Sequence, residues 1–355
     1  MGTLLARATR RRTQAHIRHV SPVQPGRATG PVARVYTQVI REFGLLAPPV
    51  SLHAPAPDAL AACWLMLRET LVASGRADRA VKEAVATAVS LGNACPYCVD
   101  VHGTALHGLL SGPAATAVAT GNLDAIGDAR IRDVARWALF DEAGGVPPSA
   151  LVPELVGVAV TFHYLNRVVN VFLTDSPLPA SVPAGRRAGI LRLTGRLMGP
   201  ITRRRRTSGL SLDLLPWAPL PDDLAWAAGR PTVAAAFARA AAALDAVGRR
   251  CVPEPVRELV DAELSTWDGR PLELAESTVD DAVAGLAAAW RPAGRLALLS
   301  ALASYRVTDP VVAAYRRGRP DDASLVGLVA WAGMAAARRM GSLLAAPRVV
   351  RDAAR

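Results

Sequence analysis

Lysine is almost absent from this 355-residue chain: Lys82 stands alone against forty arginines. That skew fits codon usage in a GC-rich genome better than it fits a binding role. Acids are missing from the first 41 positions, which hold eight arginines, and from the run Arg203 to Arg206. Setting those twelve charges aside takes the net charge from +11 to about −1, so the excess sits in an arm and a loop around a near-neutral body. Such confinement argues against a specific nucleic-acid partner. Cysteine is scarce too, and four in a chain this long exclude a disulfide framework. No long apolar run is free of polar breaks. The most apolar windows, 155 to 173 and 325 to 344, carry His163 and Arg167, and Arg338 and Arg339, near their centres, which excludes membrane spans. The arginine-rich start lacks the apolar stretch and small-residue cleavage site of a secretory signal. The expectation is a cytoplasmic protein that binds no membrane.

Alternating β-branched runs are also few, whereas apolar residues make up 51% of the chain, much of it alanine. This composition excludes extensive disorder and favours helices. Helical periodicity marks 58 to 74, 79 to 91, 96 to 110, 128 to 142 and 151 to 173. Residues 1 to 32 read as a flexible basic arm, 33 to 175 as a first helical unit, and 176 to 220 as a linker with one helix over 186 to 198 and the arginine loop. Residues 221 to 346 read as a second unit and 347 to 355 as a tail. The second unit repeats the first. At an offset of 175, residues 232 to 260 overlay 57 to 85; near the end, at an offset of 170, LVGVAVTF (155 to 162) overlays LVGLVAWA (325 to 332).

Against that background one stretch, EAVATAVSLGNACPYCVDVH (83 to 102), concentrates chemistry in the spacing E-x11-C-x2-C-x3-H. Gly92-Asn93 ends one helix and Pro96 suits the first position of the next, so Cys95 is the cap and Cys98 lies in the first turn. Thiolates are stabilised there by unpaired N–H groups and the helix dipole. His102, four residues on, shares a helix face with Cys98, and a base beside a thiol is an activated-nucleophile arrangement. Glu83, Thr87 and Ser90 form a polar stripe on the preceding helix that can orient the imidazole. Two thiolates, His102 and Glu83 also make a zinc set on paper, but closed zinc sites usually show a second Cys/His pair and none follows. Cys63 and Cys251 read as small buried hydrophobes. His53, in a proline-rich loop, reads as exposed or hydrogen-bonded, and His107 as facing away from the thiols.

The motif resembles that of the AhpD-like alkylhydroperoxidases of the carboxymuconolactone decarboxylase superfamily, and FGLLAPPVSLHAPAP (43 to 57) and FHYLNRVVNVFL (162 to 173) resemble segments of actinobacterial members. One departure is Tyr97, where some members carry histidine before the second cysteine. The resemblance implies an all-α, AhpD-like helical bundle, here as two tandem repeats with the second degenerate. It implies a peroxidatic Cys98, a resolving Cys95 and a proton relay through His102 and Glu83. It also implies a hydroperoxide substrate, an external lipoyl- or thioredoxin-like dithiol reductant, no cofactor and no metal. Homo-oligomers are compatible with it. A thioredoxin-type reading of Cys-Pro-x-Cys would instead make Cys95 the attacking thiol. A thiol-disulfide oxidoreductase, or a redox adaptor or sensor without peroxidase activity, uses the same residues.

In the second repeat Cys95, Cys98 and His102 fall on Arg270, Glu273 and Ser277, while Glu83 falls on Glu258 and Pro96 on Pro271. His163, Asn166, Arg167 and Asn170, spaced i, i+3, i+4 and i+7, form a polar stripe on an apolar helix. Their counterparts are Gly333, Ala336, Ala337 and Met340. Joint loss of cysteines and stripe makes the stripe a wall of the site; a buried cluster binding helix ends is the competing reading.

Overall fold

The computed structural model describes residues 14–140, 145, 147–179, 181–270 and 276–346. The protein is all-α: among these residues there is no β-sheet, and the extended pairing consists of one antiparallel bridge between Ile17 and Leu173. After α1 (Gly30–Phe43), α2 (Pro57–Leu67) begins on a proline and runs on into a π-helical turn at Arg68–Val72. Asp78 starts α3 (Arg79–Gly92) by accepting the Val81 N–H, as an N-cap should. Then follow α4 (Pro96–Leu109), α5 (Ala114–Thr120), a 3₁₀ turn at Leu123–Ala125 and α6 (Ala129–Ala138). Helix α7 (Val152–Phe172) is long and apolar enough to cross a membrane, yet it is buried along nearly its whole length inside the protein.

The remaining helices are α8 (Ala184–Thr202), α9 (Pro231–Cys251), α10 (Glu254–Thr266), α11 (Glu276–Ala284), α12 (Arg291–Leu302), α13 (Asp309–Arg316) and α14 (Asp322–Ala345). The succession α2, α3, α4, α5, 3₁₀ turn, α6, α7 recurs as α9, α10, α11, α12, 3₁₀ turn (Ser304–Arg306), α13, α14. Both sequence offsets reappear in the helix starts, 79 against 254 and 152 against 322. Glu83 and Glu258 each occupy the fifth position of their helix, but Glu83 is buried and Glu258 exposed. Pro271 and Glu273 lie outside the described residues. Corresponding helices pack on one another, α7 on α14 and α2 on α9, within one continuous core. Gly341 permits the first contact, because a Cβ there would stand 2.7 Å from Val160 Cγ2.

One expected segment differs from its sequence reading. The arm thought flexible through residue 32 is tied down from residue 14: Gln14 donates to the Leu46 carbonyl, Arg18 N–H to the Phe172 carbonyl, and Tyr36 hydroxyl to the Val23 carbonyl. Val20, buried, supplies the apolar reason. The linker holds the one helix expected of it, and that helix is docked. Its helix α8 crosses α4 glycine on glycine, since a Cβ on Gly195 would fall 2.1 Å from the Thr104 carbonyl oxygen and one on Gly108 would fall 2.3 Å from the Gly195 carbonyl oxygen. The arginine run also spends charge internally: Arg206 Nε is 2.9 Å from Glu42 Oε2. The lone lysine is structural, with Lys82 Nζ donating to the Ala73 carbonyl and sitting 3.4 Å from Glu154 Oε2.

Candidate active site

The end of α3, the tight connection Asn93-Ala94 and the start of α4 bring the motif together. Ala94 takes a left-handed conformation (φ 48°), a strained choice for a residue with a Cβ and a common mark of functional loops. The turn closes with Cys95 N–H on the Ser90 carbonyl, and Pro96 then opens α4. Cys95 and Cys98 are reduced and almost wholly buried, 1% and 3% exposed. They form a hydrogen-bonded dithiol, and Asn166 is a further hydrogen-bonding neighbour of Cys98. The hydrogen bond to Cys95, then burial, push the Cys98 thiol well above the ordinary cysteine range, and Asn166 pulls the other way. The position at a helix start therefore does not by itself yield the easily ionised Cys98 expected from sequence. Tyr97 is buried beside the pair, its ring edge-on to His16.

His102 Nδ1 lies 2.7 Å from Glu83 Oε2, while Arg79 grips Glu83 Oε1 through Nε at 2.8 Å and Nη2 at 2.7 Å. Burial works to raise the Glu83 pKa, but the Arg79 and His102 charges and their hydrogen bonds outweigh it and hold the carboxyl below its ordinary range. An ionised Glu83 can only accept, so Nδ1 carries the imidazole proton and Nε2 is the basic nitrogen. The ring packs edge-on against Phe162 at 4.4 Å between centroids, which fixes its tilt. Arg79 was not singled out from sequence, although its i,i+4 spacing to Glu83 is the signal that could have found it.

The α7 stripe divides. Asn166 faces the dithiol, receiving a hydrogen bond from Asn93 Nδ2 (3.0 Å) and donating to Ser90 Oγ (3.0 Å). His163, Arg167 and Asn170 turn towards Asn93 and the second half. Asn170 Nδ2 donates to the Asn93 carbonyl and to Ser304 Oγ, and Arg167 Nε to the Ala301 carbonyl. Asn93 is thus the hub that sequence reading missed, apart from its role as a helix breaker. Its position two residues before Cys95 was the available clue. Burial, then the Arg167 charge, hold His163 well below the ordinary histidine pKa, so it is neutral. Arg167 sits 5.6 Å above the Trp267 ring. His53 is buried, with Nε2 2.8 Å from the Tyr164 hydroxyl, and Cys63 is buried as expected. Cys251, expected to be buried, is only half-buried. Among the described residues no three His, Cys, Asp or Glu side chains converge as metal ligands.

An all-helical protein that holds a Cys-x-x-Cys dithiol at a helix start, with a Glu-bound histidine one turn further on, has the make-up of an AhpD-like alkylhydroperoxidase. The chain is 39% identical over 337 residues to alkyl hydroperoxide reductase Rv2159c of Mycobacterium tuberculosis, spanning 93% of this chain and 95% of that protein. It belongs to the AhpD-like alkylhydroperoxidase family. No protein-family model and no solved structure matches it.

Proposed function

We propose that this chain is a thiol-dependent peroxidase that reduces hydroperoxides through a Cys95/Cys98 dithiol–disulfide cycle. The observation that carries the reading is the coincidence of a reduced, hydrogen-bonded dithiol with an imidazole whose tautomer is fixed by an ionised, doubly gripped Glu83. The relative's name, an alkyl hydroperoxide reductase, points to the same class of substrate.

The proposed steps are these. His102 Nε2 accepts the Cys98 proton, and the thiolate attacks the distal oxygen of ROOH. The O–O bond breaks, Cys98 becomes a sulfenic acid, and the departing alkoxide takes the proton from the imidazolium to leave as ROH. Asn166 supports the thiolate as a donor. The Cys95 thiol then condenses with the sulfenic acid, forming the disulfide and releasing water. An external dithiol restores both thiols by exchange and leaves as its own disulfide. The near-complete burial of both sulfurs favours small hydroperoxides, and a slender lipoyl-type reductant, over a folded protein disulfide.

The test is peroxide consumption with a dithiol donor. Cys98→Ser abolishes turnover. Cys95→Ser still consumes about one equivalent of peroxide and leaves a sulfenic acid at Cys98 that dimedone traps. Label on Cys95 in the Cys98→Ser protein, with turnover retained, reverses the roles. Disulfide reduction without peroxide consumption replaces the reading with a thiol-disulfide oxidoreductase.

A further inference from the structure

Between the two halves lies a cavity of about 520 Å³ that the thiol chemistry does not use. Its walls come from α7 and the α3 end on one side, with His163 and Arg167, and from Trp267, Leu302 and Met340 on the other. Leu139, at the end of α6, closes an apolar flank. The volume is in the range of small-molecule sites and accommodates roughly 15 to 20 non-hydrogen atoms at about 30 Å³ each.

Arg167 is the anomaly in this wall. It is 4% exposed, yet among the described residues no carboxylate stands within ion-pair distance. Its Nε goes to the Ala301 carbonyl and its Nη1 to the His163 carbonyl, Asn93 Oδ1 and His163 Nδ1, all neutral groups, while Nη2 has no hydrogen-bond partner among the described residues. A buried cation without a counter-charge is costly. His163 supplies a second unpaired donor. Arg167 Nη1 can only donate, and it stands 3.3 Å from His163 Nδ1, so in the neutral ring the proton is on Nε2. That Nε2 is buried with no partner. One cavity thus gathers a guanidinium with no carboxylate partner among the described residues, an unpaired N–H donor and apolar walls.

We propose that the cavity between the halves is a binding site for a carboxylate-headed organic anion with an apolar body, its carboxylate on Arg167 and His163 and its chain along Leu139, Leu302 and Met340. Trp267, stacked beneath the guanidinium, holds Arg167 in place for it. The site does not require the thiol chemistry.

Isothermal titration with octanoate, 1-octanol and inorganic phosphate tests this. Octanoate binds the wild-type chain at one site, and 1-octanol and phosphate bind at least about tenfold more weakly, because each lacks one of the two recognised features. Arg167→Met weakens octanoate by at least about tenfold. Because that change also removes the bond to Ala301, Leu139→Trp serves as the second variant: it fills the apolar flank, leaves every Arg167 bond in place, and abolishes binding. The same isotherm is obtained with Cys95→Ser/Cys98→Ser, so failure of the peroxidase reading leaves this result intact. Absence of octanoate binding, equal affinity for 1-octanol, or full binding in folded Leu139→Trp overturns the proposal.

Discussion

Replacing His102 by alanine separates two ways in which Cys98 can lose its proton. An unperturbed cysteine is about 3% ionised at pH 7, and Cys98, raised by its bond to Cys95 and by burial, falls below that. Without a base, the oxidation rate at pH 7 is limited by this small fraction. It climbs about tenfold per pH unit until the raised pKa is reached, with no plateau below about pH 9. General-base assistance is typically worth 10²–10⁴-fold, about 2.7–5.5 kcal/mol, so His102→Ala should lose that factor near neutrality and recover much of it in alkali. Stopped-flow measurement of thiol oxidation by a slight excess of hydroperoxide, from pH 6 to 9.5, reads the effect directly. The wild type levels off and the variant keeps rising. A variant within about threefold of wild type at pH 7, with a parallel profile, would refute the assignment of Nε2 as base.

Asn166→Leu removes the one hydrogen bond that favours the thiolate and should move the Cys98 pKa further up, read as a later rise of the alkylation rate with pH; an unchanged profile removes Asn166 from the site. Glu83 has a depressed pKa, so its contribution to stability is complete above the ordinary carboxyl value and is lost as pH falls through the lower folded one. Glu83→Gln should therefore cost about 1–3 kcal/mol at pH 7, with the gap from wild type narrowing below about pH 4.5 in thermal melts; a pH-independent gap contradicts the ionised state. Gly195→Ala must separate α8 from α4 and should raise hydrogen exchange over 184 to 202, whereas Gly189→Ala, which meets nothing within 4 Å, should leave exchange there unchanged. Equal behaviour of the two variants would mean the glycine crossing is not what docks α8.

The parts of this molecule that are local in sequence were legible from it. Pro96 marks the start of α4, Gly92-Asn93 the end of α3, and the periodicity of 151 to 173 anticipates α7. The Glu83–His102 contact was accessible because a specific spacing encodes it. What depended on distant packing was not. Asn93 becomes a hub only when α7 is laid against its loop, and the elevated Cys98 thiol reflects its hydrogen bond to Cys95 together with a burial that no motif records. The cavity joins residues more than 170 positions apart, Asn93 with Trp267 and Met340, so no window of sequence contains it. The later part of the arm, from residue 14 on, was misjudged because one buried valine and a few backbone hydrogen bonds hold it against the body.

The packing of α7 against its own counterpart α14 has an evolutionary corollary. In a pair of identical subunits related by a two-fold axis every substitution at such a contact is written twice, once on each side, so a new arginine appears at both ends of the contact. Joining the two copies in one gene lifts that rule. Arg167 can then stand against Gly333, and Asn170 can reach Ser304, with neither change imposed on the opposite face. One copy is free to keep the chemistry while the other drifts into a tailored mould for it, an asymmetry closed to a symmetric dimer.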